Sequence, residues 1–357
     1  MNTPIPSDRL ASLDQFRGYT VVAMLFVNFA GGYRNIPTTF SHHHTYCSFA
    51  DTIMPQFLFA VGFAMRMTFL KRIAADGAKA AYRKAIFRSL GLILLGCVIY
   101  KLTGGFKNWA DVGNQNWPTF FEQLFKRGPF ETLTHIGVTS LFVLPVIANG
   151  VWVRIGFMFL AGTAHAVISL VWYYQWNLTT PVGIDGGPLA FLSWSIPLLV
   201  GSLAYDSVNA GRKDIALAGL AIACGAMLMC FAGNSSAVLP FTGPDLVGQP
   251  APKNYWTMSQ RAGSITYTLF GAGFALIVYQ LFRVISDSWK VNVSLFDLFG
   301  RHALATYIIH EMVSEMVKPF VPKDAPAWYV FAGFGAYFYV TWLFVRYLDK
   351  KKLYLRL

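Results

Sequence analysis

Long apolar runs constrain this chain more than any other feature of its sequence. Segments of roughly 17 to 25 mostly apolar residues recur from one end to the other, the length that an α-helix needs to cross a bilayer. Strands of an outer-membrane barrel would be about half as long and would alternate in polarity. Only 13% of the residues are charged, about half of the fraction in a typical soluble protein. The sequence therefore predicts an all-α, polytopic integral membrane protein.

We predict about ten transmembrane helices within a single transmembrane domain that covers residues 1–357. The predicted spans are 17–33, 50–70, 84–102, 131–149, 151–173, 187–205, 214–232, 264–285, 293–315 and 327–347.

The positive charge of the chain follows the predicted topology. The formal net charge is +12, but the basic residues lie mainly between the apolar runs, so we expect membrane lipids and no nucleic acid as partners. With the N-terminus inside, the inner segments carry about twice as many Lys and Arg residues as the outer ones. This bias predicts that both termini are cytoplasmic and that the protein is integral to the cytoplasmic (inner) membrane.

Polar residues are concentrated in the hairpin of the first two spans. Asp14 and Arg17 precede the first apolar run, and Asn28 lies about 16 Å further along the helix. The connection to the second span holds His42, His43 and His44, and Asp51 begins that span. Because polar groups at such depths are costly, they usually have a function.

Other polar residues fall on the same predicted outer side as this loop. On the predicted topology, five of the seven histidines lie towards that side, together with three carboxamide or carboxylate residues. This coincidence indicates a functional site. The additional residues on this side are His135 at the start of span four and His310 and Glu311 in span nine.

These residues allow more than one interpretation. An imidazole close to a carboxylate is typical of general-base catalysis at neutral pH, whereas a lone histidine within a span more often serves packing. A metal site is less favoured, because adjacent histidines cannot easily converge on one ion. Arg17 can be a membrane-flanking anchor or an ion-pair partner of Asp14. The basic cluster between Lys71 and Arg88 can bind phosphate groups or the anionic lipid surface.

Several motifs resemble one family of membrane enzymes. SLDQFRG at 12–18, FVNFAGG at 26–32, ADTIMPQFLFAVG at 50–62 and LFGRHALATYIIHE at 298–311, with a weaker match of ETLTHIGVT at 131–139, are similar to the acyltransferases typified by heparan-alpha-glucosaminide N-acetyltransferase. The resemblance implies transfer of an acetyl group from cytoplasmic acetyl-CoA to an amino sugar across the membrane. It also implies that Asn28 is essential and that the catalytic histidine is His42, His43 or His44, with His42 needing the smallest shift.

These observations lead to a hypothesis about catalysis. A loop histidine takes the proton of a sugar amine or hydroxyl, Asn28 donates to the developing oxyanion, and Asp51 or Glu311 orients the imidazole. A route through an acetyl-histidine intermediate stays open.

The donor in this hypothesis is acyl-CoA, with acetyl-CoA as co-substrate and no metal. The phosphates of this donor are expected near four residues at the inner side of the membrane. The expected acceptor is a saccharide or glycoconjugate. A homodimer is possible. The residues expected to bind the donor are Asp14, Arg17, Arg66 and Arg301.

Two other functions use the same residues. In a multi-span transporter or lipid flippase they would line a translocation path, although the chain shows no repeated halves of the kind that many transporters have. A family member that has lost catalysis would keep them for structure alone.

Overall fold

The computed structural model describes residues 10–100, 108–126, 129–180, 182–242 and 254–355. Within these ranges the chain forms helices and turns and no strand, so the predicted all-α fold class is confirmed. The prediction that residues 1–357 form one domain stays a prediction.

Fourteen α-helices follow one another in the described part of the chain, and short 3₁₀ or π segments extend some of them. A 3₁₀ turn at Ala50–Thr52 leads into α2, a π segment at Ser169–Tyr173 joins α7 to α8, and another at Arg283–Ser288 extends α11. The helices are α1 Ala11–Ala30, α2 Ile53–Asp76, α3 Ala78–Ile99, α4 Trp109–Gly113, α5 Trp117–Lys126, α6 Thr132–Val143, α7 Val151–Ile168, α8 Tyr174–Leu178, α9 Phe191–Asn209, α10 Ile215–Gly233, α11 Ile265–Phe282, α12 Ser294–Arg301, α13 Ala303–Val317 and α14 Ala327–Lys350.

Six helical segments of the described chain are long and apolar enough to cross a membrane. A helix also occupies each of the other four predicted positions, but α6 and α13 are shorter and α1 and α3 are less apolar. The count of about ten spans and the cytoplasmic termini therefore stay predictions. The six segments are Ala50–Asp76, Val151–Leu178, Phe191–Asn209, Ile215–Gly233, Ile265–Ser288 and Ala327–Lys350.

Helices α1 and α12 cross in backbone contact, and this crossing positions two arginines. A Cβ atom added at Gly18 would lie 1.8 Å from the carbonyl oxygen of Phe296, and one added at Gly300 would lie 2.1 Å from that of Asp14. Each helix therefore needs a glycine where it meets the other. The neighbouring residues Arg17 and Arg301 are thereby held at the same end of the bundle.

The ninth predicted span is divided into two helices. Helix α12 ends at Arg301, His302 has φ −112° and ψ 25°, and α13 begins at Ala303. His302 is buried, and its Nε2 atom lies 3.1 Å from Oδ1 of Asp349 in α14, so this hydrogen bond anchors the break. Helix α13 then carries Tyr307, His310 and Glu311 away from Arg301.

Candidate functional site

Two cavities with different chemistry meet inside the helical bundle. The larger, which we call the histidine cavity, has a volume of about 620 Å³, and its lining includes His42, His44 and Asn28. The smaller, which we call the arginine cavity, has a volume of about 410 Å³ and is lined by mostly apolar side chains and four arginines. Three residues line both cavities, so the two spaces adjoin: Phe57, Thr132 and Tyr307.

His42 and Asp51 form a hydrogen-bonded dyad in the wall of the histidine cavity. Nδ1 of His42 lies 2.9 Å from Oδ1 of the buried Asp51, while 44% of the His42 side chain stays exposed towards the cavity. The second carboxylate oxygen of Asp51 accepts hydrogen bonds from the backbone N–H and the hydroxyl of Ser48, each at 3.0 Å. The carboxylate is therefore fixed, and it orients the imidazole of His42.

The environment of His42 also sets its protonation. Burial alone would lower the pKa of His42, but the hydrogen bond and charge of Asp51, with the charge of Asp185, outweigh it and raise the pKa above its usual 6.5. Gln260 is a further hydrogen-bond partner of this imidazole. An imidazole with a raised pKa is a stronger base, which suits it to accepting a proton.

The two neighbouring histidines have different surroundings. Nε2 of His43 lies 2.8 Å from the carbonyl oxygen of Thr38, and its ring stacks on Tyr46 with centroids 4.4 Å apart. His43 is not among the residues that line the histidine cavity. His44 does line the cavity, but burial and then the charge of Arg261 lower its pKa to about 4. A histidine with so low a pKa is a weak base at neutral pH.

Asn28 lines the same cavity together with residues of α13. Its Nδ2 atom is 3.4 Å from Nε2 of His310, which in turn is 3.2 Å from Oε1 of Glu311. Nζ of Lys318 donates to the backbone carbonyl of Asn28 at 2.9 Å and fixes the end of α1. The structure thus brings three predicted residues together in one cluster: Asn28, His310 and Glu311.

Sequence reasoning missed a second set of cavity residues, contributed by two loops. Asp185 and Gln260 line the histidine cavity, and Nε2 of Gln260 donates to Oδ1 of Asp185 at 2.9 Å. The carbonyl of Arg261 accepts from the backbone N–H of Gly186 at 3.1 Å, which ties the loops together. Burial raises the pKa of Asp185 to about 6, against a smaller opposing effect of His42. The Asp-Gly-Gly sequence at 185–187, with positive φ at all three residues, is a turn signal that could have marked this loop.

The arginine cavity contains three of the predicted donor-binding residues. Asp14, Arg17 and Arg301 line it, and Nη1 of Arg17 lies 3.6 Å from Oδ1 of Asp14. The remaining two arginines of its wall are Arg72 and Arg88 from the basic cluster that follows the second span. Both belong to the segment for which the sequence left phosphate binding and lipid binding open.

Arg66 is not among the residues that line either cavity. Its guanidinium makes a two-pronged ion pair with Asp206, with distances of 3.0 Å and 3.2 Å, and donates to the carbonyl of Ile147 at 2.7 Å. The buried Arg154 also pairs with Asp206 and donates to Ser202 at 2.9 Å. Arg66 thus ties α2 to α9, which separates it from the other predicted donor residues.

His135 is not among the residues that line either cavity. Its ring is buried in α6, with centroids 6.1 Å from Phe130 and 6.4 Å from Trp194. The neighbouring residues Glu131 and Thr132 do face the histidine cavity. The motif at 131–139 therefore reaches the site through its first two residues.

The fold and the two cavities define a class of helical membrane proteins with a polar site inside the bundle. A family model described as an acyltransferase domain matches residues 10–346. Because this match covers nearly the whole chain, the protein belongs to that acyltransferase family. No curated protein sequence matches the chain significantly. Family membership together with the six candidate spans makes the protein an integral membrane acyltransferase.

Proposed function

We propose that this protein transfers an acyl group, acetyl in the first place, from acyl-CoA to an amine or hydroxyl of a saccharide or glycoconjugate. The donor occupies the arginine cavity from the cytoplasmic side, and the acceptor occupies the histidine cavity from the outer side. The observation that carries this proposal is that the two cavities adjoin at Phe57, Thr132 and Tyr307. A thioester held at this boundary can be reached by an acceptor from the opposite side.

The chemistry of the arginine cavity supports a phosphorylated donor. Arg17, Arg72, Arg88 and Arg301 place four guanidinium groups around a space with one lining carboxylate, that of Asp14. Guanidinium groups bind phosphate oxygens through paired hydrogen bonds. Apolar side chains of α1, α2 and α6 complete the wall, so the cavity suits a molecule with an anionic end and a slender uncharged arm.

The dyad in the histidine cavity supports general-base catalysis. Nδ1 of His42 donates to Asp51, which leaves Nε2 to accept a proton from the attacking group. The acceptor oxygen or nitrogen bonds to the thioester carbonyl carbon as its proton moves to Nε2. The carbon–sulfur bond then breaks, and the CoA thiolate leaves and takes up that proton. Direct transfer needs no acyl-histidine intermediate.

Asn28 is placed to stabilise the charge that develops on the carbonyl oxygen. Its side chain lines the histidine cavity, and its 3.4 Å contact with His310 is long for a hydrogen bond. The amide can therefore turn to the substrate without breaking a strong interaction. A positioned donor of this kind is worth about 10²–10³ in rate.

The resemblance to heparan-alpha-glucosaminide N-acetyltransferase supports the finer features of this proposal. It favours acetyl-CoA as donor and an amino sugar as acceptor, and it agrees with an orientation in which the basic segments are cytoplasmic. The same orientation supports the cytoplasmic (inner) membrane as the location of the protein.

Proteoliposomes with the donor on one side and the acceptor on the other test the proposal. Radiolabelled acetyl-CoA is added outside, a panel of amino sugars and neutral sugars is enclosed, and labelled sugar is measured after separation. We expect labelled product from the wild type and not from Asn28→Ala or His42→Ala. Movement of unmodified sugar across the bilayer with no labelled product would instead indicate a transporter. Neither product nor movement would indicate a family member without catalysis.

A further inference from the structure

The boundary between the two cavities is formed by one apolar ring and two hydrogen-bonded side chains. Phe57 comes from the first turns of α2, Thr132 begins α6, and Tyr307 lies in the middle of α13. Among the described lining residues, these are the three that contact both cavities. The two cavities therefore adjoin at these three side chains.

Tyr307 is held in place from several directions. Its hydroxyl lies 2.5 Å from that of Tyr100, and the Tyr100 hydroxyl accepts the backbone N–H of Leu133 at 3.2 Å. Thr132 is a further hydrogen-bond partner of Tyr307. The rings of Tyr307 and His310 are 5.2 Å apart, so the position of Tyr307 is also linked to the cluster that holds Asn28. One side of the boundary is therefore fixed by the fold.

Phe57 closes the other side with bulk alone. Its side chain is partly buried and packs against the core that surrounds α1. A phenyl ring has no polar atom, so its contribution to the boundary is its size. The space between the cavities is therefore limited by the distance from the Phe57 ring to the paired hydroxyls of Tyr100 and Tyr307.

We propose that Phe57, with Thr132 and Tyr307, selects the acyl group by length. This inference rests on the proposed function, because the donor must present its acyl end at the boundary. A short acyl group passes the ring of Phe57 and brings its carbonyl carbon within reach of Asn28 and His42. A long acyl chain has to pass the boundary ahead of its carbonyl and fill the space of the acceptor. The protein is therefore a short-chain acyltransferase, and Phe57 is a specificity-determining residue.

Transfer rates with acetyl-, butyryl- and octanoyl-CoA test this inference in the wild type and in variants of the boundary. In Phe57→Ala the ratio of octanoyl to acetyl transfer, each as kcat/KM, should rise by about tenfold or more, since each methylene in a tight pocket changes this ratio by about 10–200-fold. Phe57→Leu should give a smaller rise and covers the case in which the alanine variant does not fold. Tyr307→Phe removes the hydroxyl that pairs with Tyr100 but keeps the ring, so it should raise the ratio less than Phe57→Ala does.

Phe87→Ala is the matched control, because Phe87 is 69% exposed on the outside of α3 and is not among the residues that line either cavity. Its acetyl rate and its chain-length ratio should both equal those of the wild type. An unchanged ratio in both Phe57 variants, with acetyl transfer retained, would overturn the inference and leave the proposed function intact. Octanoyl transfer by the wild type at the acetyl rate would do the same. A wild type that transfers none of the three groups would overturn the proposed function and this inference together.

Discussion

His42 and Asp51 lie nine residues apart in the chain, and their side chains meet at 2.9 Å between Nδ1 and Oδ1. The carboxylate is 1% exposed and is held by Ser48, whereas the imidazole faces the histidine cavity. A buried carboxylate that fixes one ring nitrogen leaves the other to exchange a proton with a substrate. This relationship distinguishes His42 from its two neighbours.

Replacement of the loop histidines should separate their roles. We expect His42→Ala to lower kcat by about 10²–10⁴, because a positioned general base contributes that much. His43→Gln should keep most of the activity, since its ring packs on Tyr46 outside the cavity. Both variants are compared at the same acyl-CoA and acceptor concentrations. A His42 variant as active as the wild type, or a His43 variant as inactive as His42→Ala, would contradict the assignment.

The pH dependence of transfer should report the state of His42. A general base works only as neutral imidazole, so activity should fall as the pH drops through the pKa of His42. Because Asp51 and Asp185 outweigh burial, the midpoint of this fall should lie above 6.5.

Asp185→Asn removes one of the two charges that raise the pKa of His42. The midpoint should therefore move to lower pH. The effect of Asp185 is present while it is ionised, above its own pKa of about 6. Initial rates over a pH series measure the shift, and Asp185→Glu is the charge-preserving control. A midpoint that moves upward in Asp185→Asn would contradict the electrostatic account.

Arginines of the arginine cavity should contribute to donor binding. We expect Arg17→Ala and Arg88→Ala each to raise KM for acyl-CoA by about tenfold or more, the effect of losing a hydrogen bond between charged groups. The effect on kcat should be small, because neither residue lines the histidine cavity. Arg346→Ala is the control, since Arg346 lies over the ring of Trp342 and is not among the cavity residues. Equal KM values in all three variants would place the donor elsewhere.

Arg66 should behave differently from the cavity arginines. Arg66→Ala removes one of the two arginine partners of Asp206 and the bond to the carbonyl of Ile147. Breaking a buried ion pair costs about 3–5 kcal/mol, so the thermal midpoint in detergent should fall clearly. KM for acyl-CoA in the surviving folded fraction should equal that of the wild type. A raised KM for acyl-CoA with unchanged stability would instead show that Arg66 contributes to donor binding.

The sequence by itself determined the class of this protein. Apolar runs of membrane-spanning length, with few charges, predict transmembrane helices, because a helix satisfies its own backbone hydrogen bonds in lipid. The closeness of the loop histidines to Asp51 also follows from the sequence, since the loop between the first two helices is short, and His42 does contact Asp51. Local geometry was sufficient for all of these predictions.

Only the tertiary structure decided how the site is composed. The sequence favoured His42 over His43 only through a family resemblance, because the physical difference arises from the Thr38 carbonyl and the Tyr46 ring that hold the second imidazole. Arg66 and Arg88 look alike as basic residues near a membrane surface, yet one pairs with Asp206 and the other lines a cavity. The boundary residues Phe57, Thr132 and Tyr307 come from three helices that are distant in sequence. Which face each helix turns inward depends on its partners in the bundle, and apolar periodicity loses that information when lipid covers the other face.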